Sequence, residues 1–326
     1  MFVPHGFGLA LLMTVLSTVC WGSFANTMKL TRNYRFELYY WDYAIGVVLI
    51  SLVLAHTLGS LGGPSSAVAN LHAGAWADVG WAALAGAIFN VANFLLIAGI
   101  EMVGLAVAFP ISIGIALVEG VVLSYAIQPK GSAVLLGTGV AMAVLAIVLI
   151  GKAYGQLQLR GRVPARRGVV VCVVSGVLMG AWAPFVTKAM TATVPLTPYN
   201  VAVFFSFGAL ACCFVFNPVL MRRPLVGAPV SFAGYFAAPT AYHALALLGG
   251  VVWGIGTVFN LVAASLVGVA ISYAIGQASP MIAALWGVFA WREFKGSNAR
   301  AKLYLAGMFA AYALALLLIS RAYQAS

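Results

Sequence analysis

Ten times along this chain an apolar stretch runs for about 20 residues or more, and that recurrence constrains the fold more than any motif. The stretches lie near residues 7–28, 37–58, 76–100, 103–127, 132–152, 168–190, 198–220, 242–265, 267–291 and 301–321. Each is long enough to cross a hydrocarbon layer about 30 Å thick as an α-helix. Inside that layer no water satisfies the backbone, so only helices or closed barrels can span it. Charge agrees with this reading. Of 326 residues only 7% are charged and 63% are hydrophobic, whereas a soluble domain carries about 25% charged residues. The expected fold is therefore all-α: a polytopic membrane protein of ten transmembrane helices, with lipid as the solvent for most of its surface.

The breaks between stretches carry loop chemistry, as in Gly59-Ser60-Leu61-Gly62-Gly63-Pro64, Gln128-Pro129-Lys130-Gly131 and Arg222-Arg223-Pro224. The N-terminus lacks the basic head of a cleavable signal, and its apolar run suits a spanning helix. Cys20, Cys172, Cys212 and Cys213 lie inside apolar stretches without metal-type spacing, so they read as buried thiols.

Basic residues set the orientation. Fourteen of the 17 Lys and Arg residues fall in the loops that follow the first, third, fifth, seventh and ninth stretches. The other three are Lys130, Lys188 and Arg321. Positive loops stay cytoplasmic, so both termini are expected outside. The net charge of +11 is thus a topology signal, and no clustered soluble face exists to bind nucleic acid.

The two halves also repeat. Val103-Gly104-Leu105-Ala106-Val107 is echoed by Val267-Gly268-Val269-Ala270-Ile271, and Lys130-Gly131-Ser132 by Lys295-Gly296-Ser297. Likewise Trp21-Gly22-Ser23-Phe24 parallels Trp182-Ala183-Pro184-Phe185. The offset is about 161 to 165 residues, close to half the chain. Five spans per half is an odd number, so the halves must lie in opposite orientations. The expected organisation is an N-terminal five-helix repeat over 1–152, a cytoplasmic linker over 153–167 and an inverted C-terminal repeat over 168–326. Inverted repeats provide two equivalent states, one open to each side.

These residues resemble the drug/metabolite transporter superfamily, and within it the ureide permeases and the glucose/ribose and rhamnose porters. The resemblance rests on Cys20-Trp21-Gly22-Ser23 through Lys29, on Tyr40-Trp41-Asp42-Tyr43, on Ala85-Gly86-Ala87 with Asn93, and on the run from Val103 to Tyr125. The long central segment with a nucleotide-binding-like motif, found in plant ureide permeases, is absent. The resemblance implies secondary transport of small neutral polar solutes, often coupled to protons, in a multi-pass cell-membrane permease.

Only six carboxylates are present. Asp78, Glu101 and Glu293 fall at span ends, and Glu37 sits beside the basic Lys29–Arg35 loop, where an interfacial ion pair is expected. Asp42 lies deeper. Glu119 lies well inside the fourth span between Ala116-Leu117-Val118 and Gly120-Val121-Val122. A carboxylate there must be paired, protonated or facing a wet cavity, which makes Glu119, and after it Asp42, the candidate proton-coupling residues. None of His5, His56, His72 and His243 reads as a deep proton relay.

Amides and aromatics on shared helix faces are the candidate solute ligands. Asn90 and Asn93 are three residues apart in the third span; Trp253, Thr257 and Asn260 share a face of the eighth, as do Tyr273, Gln277 and Pro280 of the ninth. Trp21 and Trp182, with Phe24 and Phe185, are gate or site aromatics if they do not belong to an interfacial belt. The expected site lies at mid-membrane, with Asn93, Glu119, Trp253 and Gln277 framing it. No catalytic constellation of an enzyme, no metal cluster and no cofactor motif is found. The expected function is a symporter moving a monosaccharide or a ureide or nucleobase-type heterocycle across the inner membrane. The alternatives are a facilitator that needs no gradient and a drug/metabolite exporter. The expected partners are the solute, protons and lipid, with a homodimer left open.

Overall fold

The computed structural model describes residues 1–31, 34–61, 66–73, 75–157 and 166–324. Arg32, Arg160, Arg162, Ser326 and most of the 153–167 linker therefore lie outside the described residues. Each apolar stretch becomes a helix, for the reason the sequence supplies: long runs of Ala, Leu, Val and Ile with loop-forming residues only at their ends.

In chain order the helices are α1 (Phe7–Ser23), α2 (Ala25–Leu30), α3 (Phe36–His56), α4 (Ala67–His72), α5 (Val79–Val103), α6 (Leu105–Ile127), α7 (Ala133–Gly155), α8 (Arg166–Thr191), α9 (Pro198–Arg222), α10 (Phe232–Phe236), α11 (Thr240–Val267), α12 (Val269–Gly276), α13 (Ser279–Leu285) and α14 (Ala299–Gln324). Among the described residues ten segments are long and apolar enough to cross a membrane; α1 with α2 forms the first, and α12 with α13 and a π-helical turn at Trp286–Ala290 forms the ninth. The protein is a polytopic all-helical membrane protein. Two short helices, α4 and α10, were not expected, because six and five residues are too few to show a period.

The ninth span differs from the continuous helix the sequence suggests. α12 ends at Gly276, Gln277 takes φ −68° and ψ 0°, and α13 restarts with Pro280 in its first turn. Proline lacks the N–H that would continue the ladder and fits a helix start, so the break falls at Gln277 and Ala278.

Packing runs in matched sets. α5 lies on α8 as α1 lies on α11, and α3 lies on α11 as α9 lies on α5. Glycines permit the close approach in the second set: a β-carbon at Gly250 would overlap the Tyr43 carbonyl oxygen, and one at Gly86 would overlap that of Phe205. The repeated Val-Gly motifs meet the same backbone need. Gly104 at φ 79° and Gly268 at φ 87° each let one span end and the next begin in the left-handed region that side chains disfavour. Gly131 and Gly296, in the two Lys-Gly-Ser exits, also have positive φ.

Odd-numbered loops gather at one end of the bundle, here the basic face, with Lys29, Arg35, Lys152, Arg222, Arg292 and Lys295.

Candidate functional site

A cavity of about 810 Å³ runs from the basic face to mid-span. Its mouth is lined by Lys29, Arg35, Glu101, Tyr154 and Glu293, all at span ends. Its inner end is lined by Trp21, Phe89, Asn93, Trp182, Trp253 and Gln277. Charge is thus confined to the mouth.

Aromatic stacking closes the inner end. Phe89 stacks on Trp253 with ring centroids 4.6 Å apart, and Trp21 stacks on the same indole at 6.0 Å. Trp182 meets Phe89 edge-on at 6.4 Å and Tyr273 at 5.3 Å. Such contacts each contribute about 0.5–1.5 kcal/mol beyond burial, which makes the floor rigid. Trp21 and Trp182 are 9% and 3% exposed, so they belong to this floor rather than to an interfacial belt. Trp21 is held in plane: its Nε1 donates to Thr257 Oγ1 at 3.1 Å, and Thr257 donates to the Trp253 carbonyl at 3.1 Å.

Two amides reach this floor. Asn93, on α5, lies one turn beyond Phe89 and beside the Tyr40 hydroxyl. Gln277 sits at the helix break, where its side chain lies by the Tyr273 hydroxyl. The break is what frees a polar residue in an otherwise apolar span to line the cavity.

Of the sequence-derived solute ligands, the structure brings Trp21, Asn93, Trp253 and Gln277 together. It keeps Asn90, Thr257, Asn260 and Tyr273 out of the lining. Asn90 accepts from Cys213 Sγ at 3.2 Å in the α5–α9 seam. Asn260 Nδ2 donates to the Ser272 carbonyl at 2.9 Å, bracing α11 against α12 around Gly268. Tyr273 is fully buried and its hydroxyl donates toward the Ala116 and Met179 carbonyls at 3.3 and 3.2 Å. These three hold helices together, and Thr257 positions Trp21.

The two candidate proton carriers also lie off the cavity. Glu119 is half-buried against Gly180 of α8, close to Tyr273, with no hydrogen bond or ion pair among the described residues. It does not line the cavity, so it does not frame the site as the sequence suggested. The α6 face that carries it turns toward α8 instead. Asp42 accepts from Tyr235 Oη and from His243 Nδ1, each at 2.7 Å. His243, set aside on sequence, is therefore a carboxylate partner; a sequence separation of 201 positions hid the pair.

Sequence reasoning missed the mouth. Lys29 pairs with Glu293, Tyr154 donates to Glu293 at 3.1 Å, and Lys29 lies 4.5 Å over the Trp291 ring, which joins the first, fifth and ninth spans. Arg35, also in the lining, pairs with Glu37 at 2.6 Å, as expected of an interfacial pair. Phe89 was also missed, although its spacing of four from Asn93 places both on one face.

Residues 166–321 match the family profile described as "Ureide permease". The match covers the five spans of the C-terminal half, whereas the motifs that carry the resemblance noted above lie in the N-terminal half. It supports a membrane transporter. Among curated proteins, none matches the chain. A solved structure described as "Crystal structure of protein" is similar in fold, with a TM-score of 0.64 at 19% identity over 96% of this chain and 98% of that one.

Proposed function

We propose that this chain is a secondary transporter that moves a small neutral polar solute across the inner membrane by alternating access. The observation that carries the reading is the cavity itself: open at a charged mouth, closed at mid-span by Trp21, Phe89, Trp182 and Trp253, and supplied there with the Asn93 and Gln277 amides. Amides hydrogen-bond an uncharged solute and aromatic faces stack on a flat one, while an ionic solute would lack a counter-charge. A ureide or nucleobase-type heterocycle fits best, and the family match on the C-terminal half supports that choice. A monosaccharide, as in the related sugar porters of the drug/metabolite superfamily, is the next choice.

The matched helix pairings and the paired positive-φ glycines support two inverted five-helix repeats, 1–152 and 168–326, joined by the 153–167 linker. On this reading the basic face is cytoplasmic, both termini are outside, and the structure is the inward-open state. Proton coupling is assigned to Glu119, which is mid-span without an ion partner among the described residues, with Asp42 as the rival. The floor carries no carboxylate, and this favours a gradient-independent facilitator as the second reading.

Equilibrium binding of a ureide, nucleobase and monosaccharide panel to the purified protein tests the assignment. Saturable binding of one class, lost in Trp253→Ala, supports it; absence of binding across the panel contradicts it.

A further inference from the structure

The two unexpected short helices answer each other. α4 lies between the second and third spans, α10 between the seventh and eighth, and they are separated by the offset of the sequence repeats. They sit at opposite faces, and each loop is held by the start of the matching span in the other half.

At the face opposite the basic one, the holding bonds among the described residues involve only neutral groups. Asn70 of α4 donates to the Pro195 carbonyl at 2.8 Å and accepts from Thr197 N and Asn200 Nδ2 at 3.0 and 2.9 Å. Asn200 Nδ2 also donates to the Ala67 carbonyl at 2.9 Å. His72, at the end of α4, is exposed and takes no part.

At the basic face the equivalent bonds are ionisable. Arg35 donates to the Val226 and Ala228 carbonyls at 3.0 and 2.9 Å while paired with Glu37. Asp42 accepts from Tyr235 of α10 and from His243 of α11. The Phe232 ring packs on Trp41, which seats the strap's apolar side. Tyr34 and Arg35 belong to the cavity lining as well, so whatever moves this strap moves the rim.

We propose that Asp42, His243 and Tyr235 form a proton-responsive clasp that holds the 223–239 strap on the cavity rim, and that its counterpart around Asn70 and Asn200 is insensitive to pH. Among the described residues, the hydrogen-bond and ring contacts of His243 come from three elements. α3 presents Asp42; α10 presents Tyr235, its ring 4.6 Å from the imidazole; the segment before α3 presents Tyr34 at 6.3 Å. Tyr242, next to His243 on α11, meets Tyr34 with tilted rings 5.5 Å apart. Arg222 and Arg223, at the end of α9, are exposed. Among the described residues Asp42 is therefore the only carboxylate paired with the ring, and no cation is paired with Asp42 other than His243 itself when protonated. Burial, and after it the Asp42 charge, push the Tyr34 hydroxyl up to about 12, so Tyr34 stays neutral throughout.

The sign follows from bond strength. The bond to the Asp42 carboxylate is charge-assisted in either state, and protonating the imidazole adds the direct attraction of a cation for that carboxylate. A neutral imidazole still donates through Nδ1, but more weakly. The clasp is thus tighter with the imidazole protonated than with it neutral, and loosens as pH rises.

Hydrogen–deuterium exchange of the purified full chain reads the strap directly, independently of solute or transport. At about pH 6 and about pH 8.5, with labelling times matched for intrinsic exchange, segment 224–238 should exchange about fivefold more slowly at the lower pH. Segment 66–73 should be unchanged. In His243→Gln, which keeps a donor without a titrating ring, the pH effect on the strap should vanish. Tyr235→Phe should speed strap exchange at both pH values and keep the difference between them. Equal strap protection at both pH values, an equal response in segment 66–73, or a response that survives in His243→Gln overturns the proposal.

Discussion

The indole nitrogen of Trp21 lies 3.1 Å from Thr257 Oγ1, a hydrogen bond that joins the first span to the eighth beneath the cavity floor. Trp21 would otherwise be free to tilt into the space a solute needs. Thr257→Val keeps the shape and removes the acceptor. It should lower stability by about 1 kcal/mol and weaken solute binding several-fold, whereas Thr257→Ser should stay near wild type. Thermal unfolding in detergent and a binding titration check the two effects separately.

Lining and bracing residues should behave differently. Gln277→Ala leaves the helix break in place and removes an amide from the floor, so binding should be lost with folding intact. Asn260→Ala removes the bond to the Ser272 carbonyl, so it should cost about 1 kcal/mol of stability and leave affinity within about twofold. Affinity measured beside unfolding temperature for both variants separates the roles; a weaker binder in Asn260→Ala and an unchanged one in Gln277→Ala would reverse them.

The paired glycines make a local prediction. Gly104→Ala and Gly268→Ala force a side chain into the left-handed region at φ 79° and 87°, at a cost of about 1–2 kcal/mol each. Both should lower the unfolding temperature by similar amounts, because both occupy the same turn in the two halves. Unfolding curves of the two single variants test this, and a cost confined to one of them would argue against equivalent turns.

The fold was legible because its cause is local. Apolar length decides where a span lies, and the Val-Gly and Lys-Gly-Ser repeats decide where one ends. The site was legible in part. Trp21, Asn93, Trp253 and Gln277 stood out as polar or indole groups on central helices, and all four reach the cavity. Asn90, Asn260 and Tyr273 carry the same signal in sequence but face neighbouring helices, since a polar residue in lipid serves a seam as well as a site. Glu119 was expected at the cavity from depth alone, and depth does not fix which way a helix face turns. The pairing of Asp42 with His243 was invisible, because only the folded chain brings α3 beside α11.

Coupling separates Glu119 from Asp42. Glu119→Gln mimics the protonated carboxyl and should preserve solute binding and exchange but abolish accumulation driven by a proton gradient. Asp42→Asn should alter the rim and keep accumulation. If Glu119→Gln still concentrates solute while Asp42→Asn cannot, the coupling residue is Asp42. If neither variant changes accumulation and wild-type flux ignores pH, the protein is a facilitator.

Uptake into proteoliposomes tests the central claim most directly. Purified protein, reconstituted with and without an imposed proton gradient, is offered labelled ureide, nucleobase and monosaccharide in turn. The account predicts saturable uptake of one of these classes by the wild type, raised by the gradient, and uptake at the level of protein-free liposomes for Trp253→Ala. Wild-type uptake no faster than protein-free liposomes for every solute, or full uptake by Trp253→Ala, would contradict it.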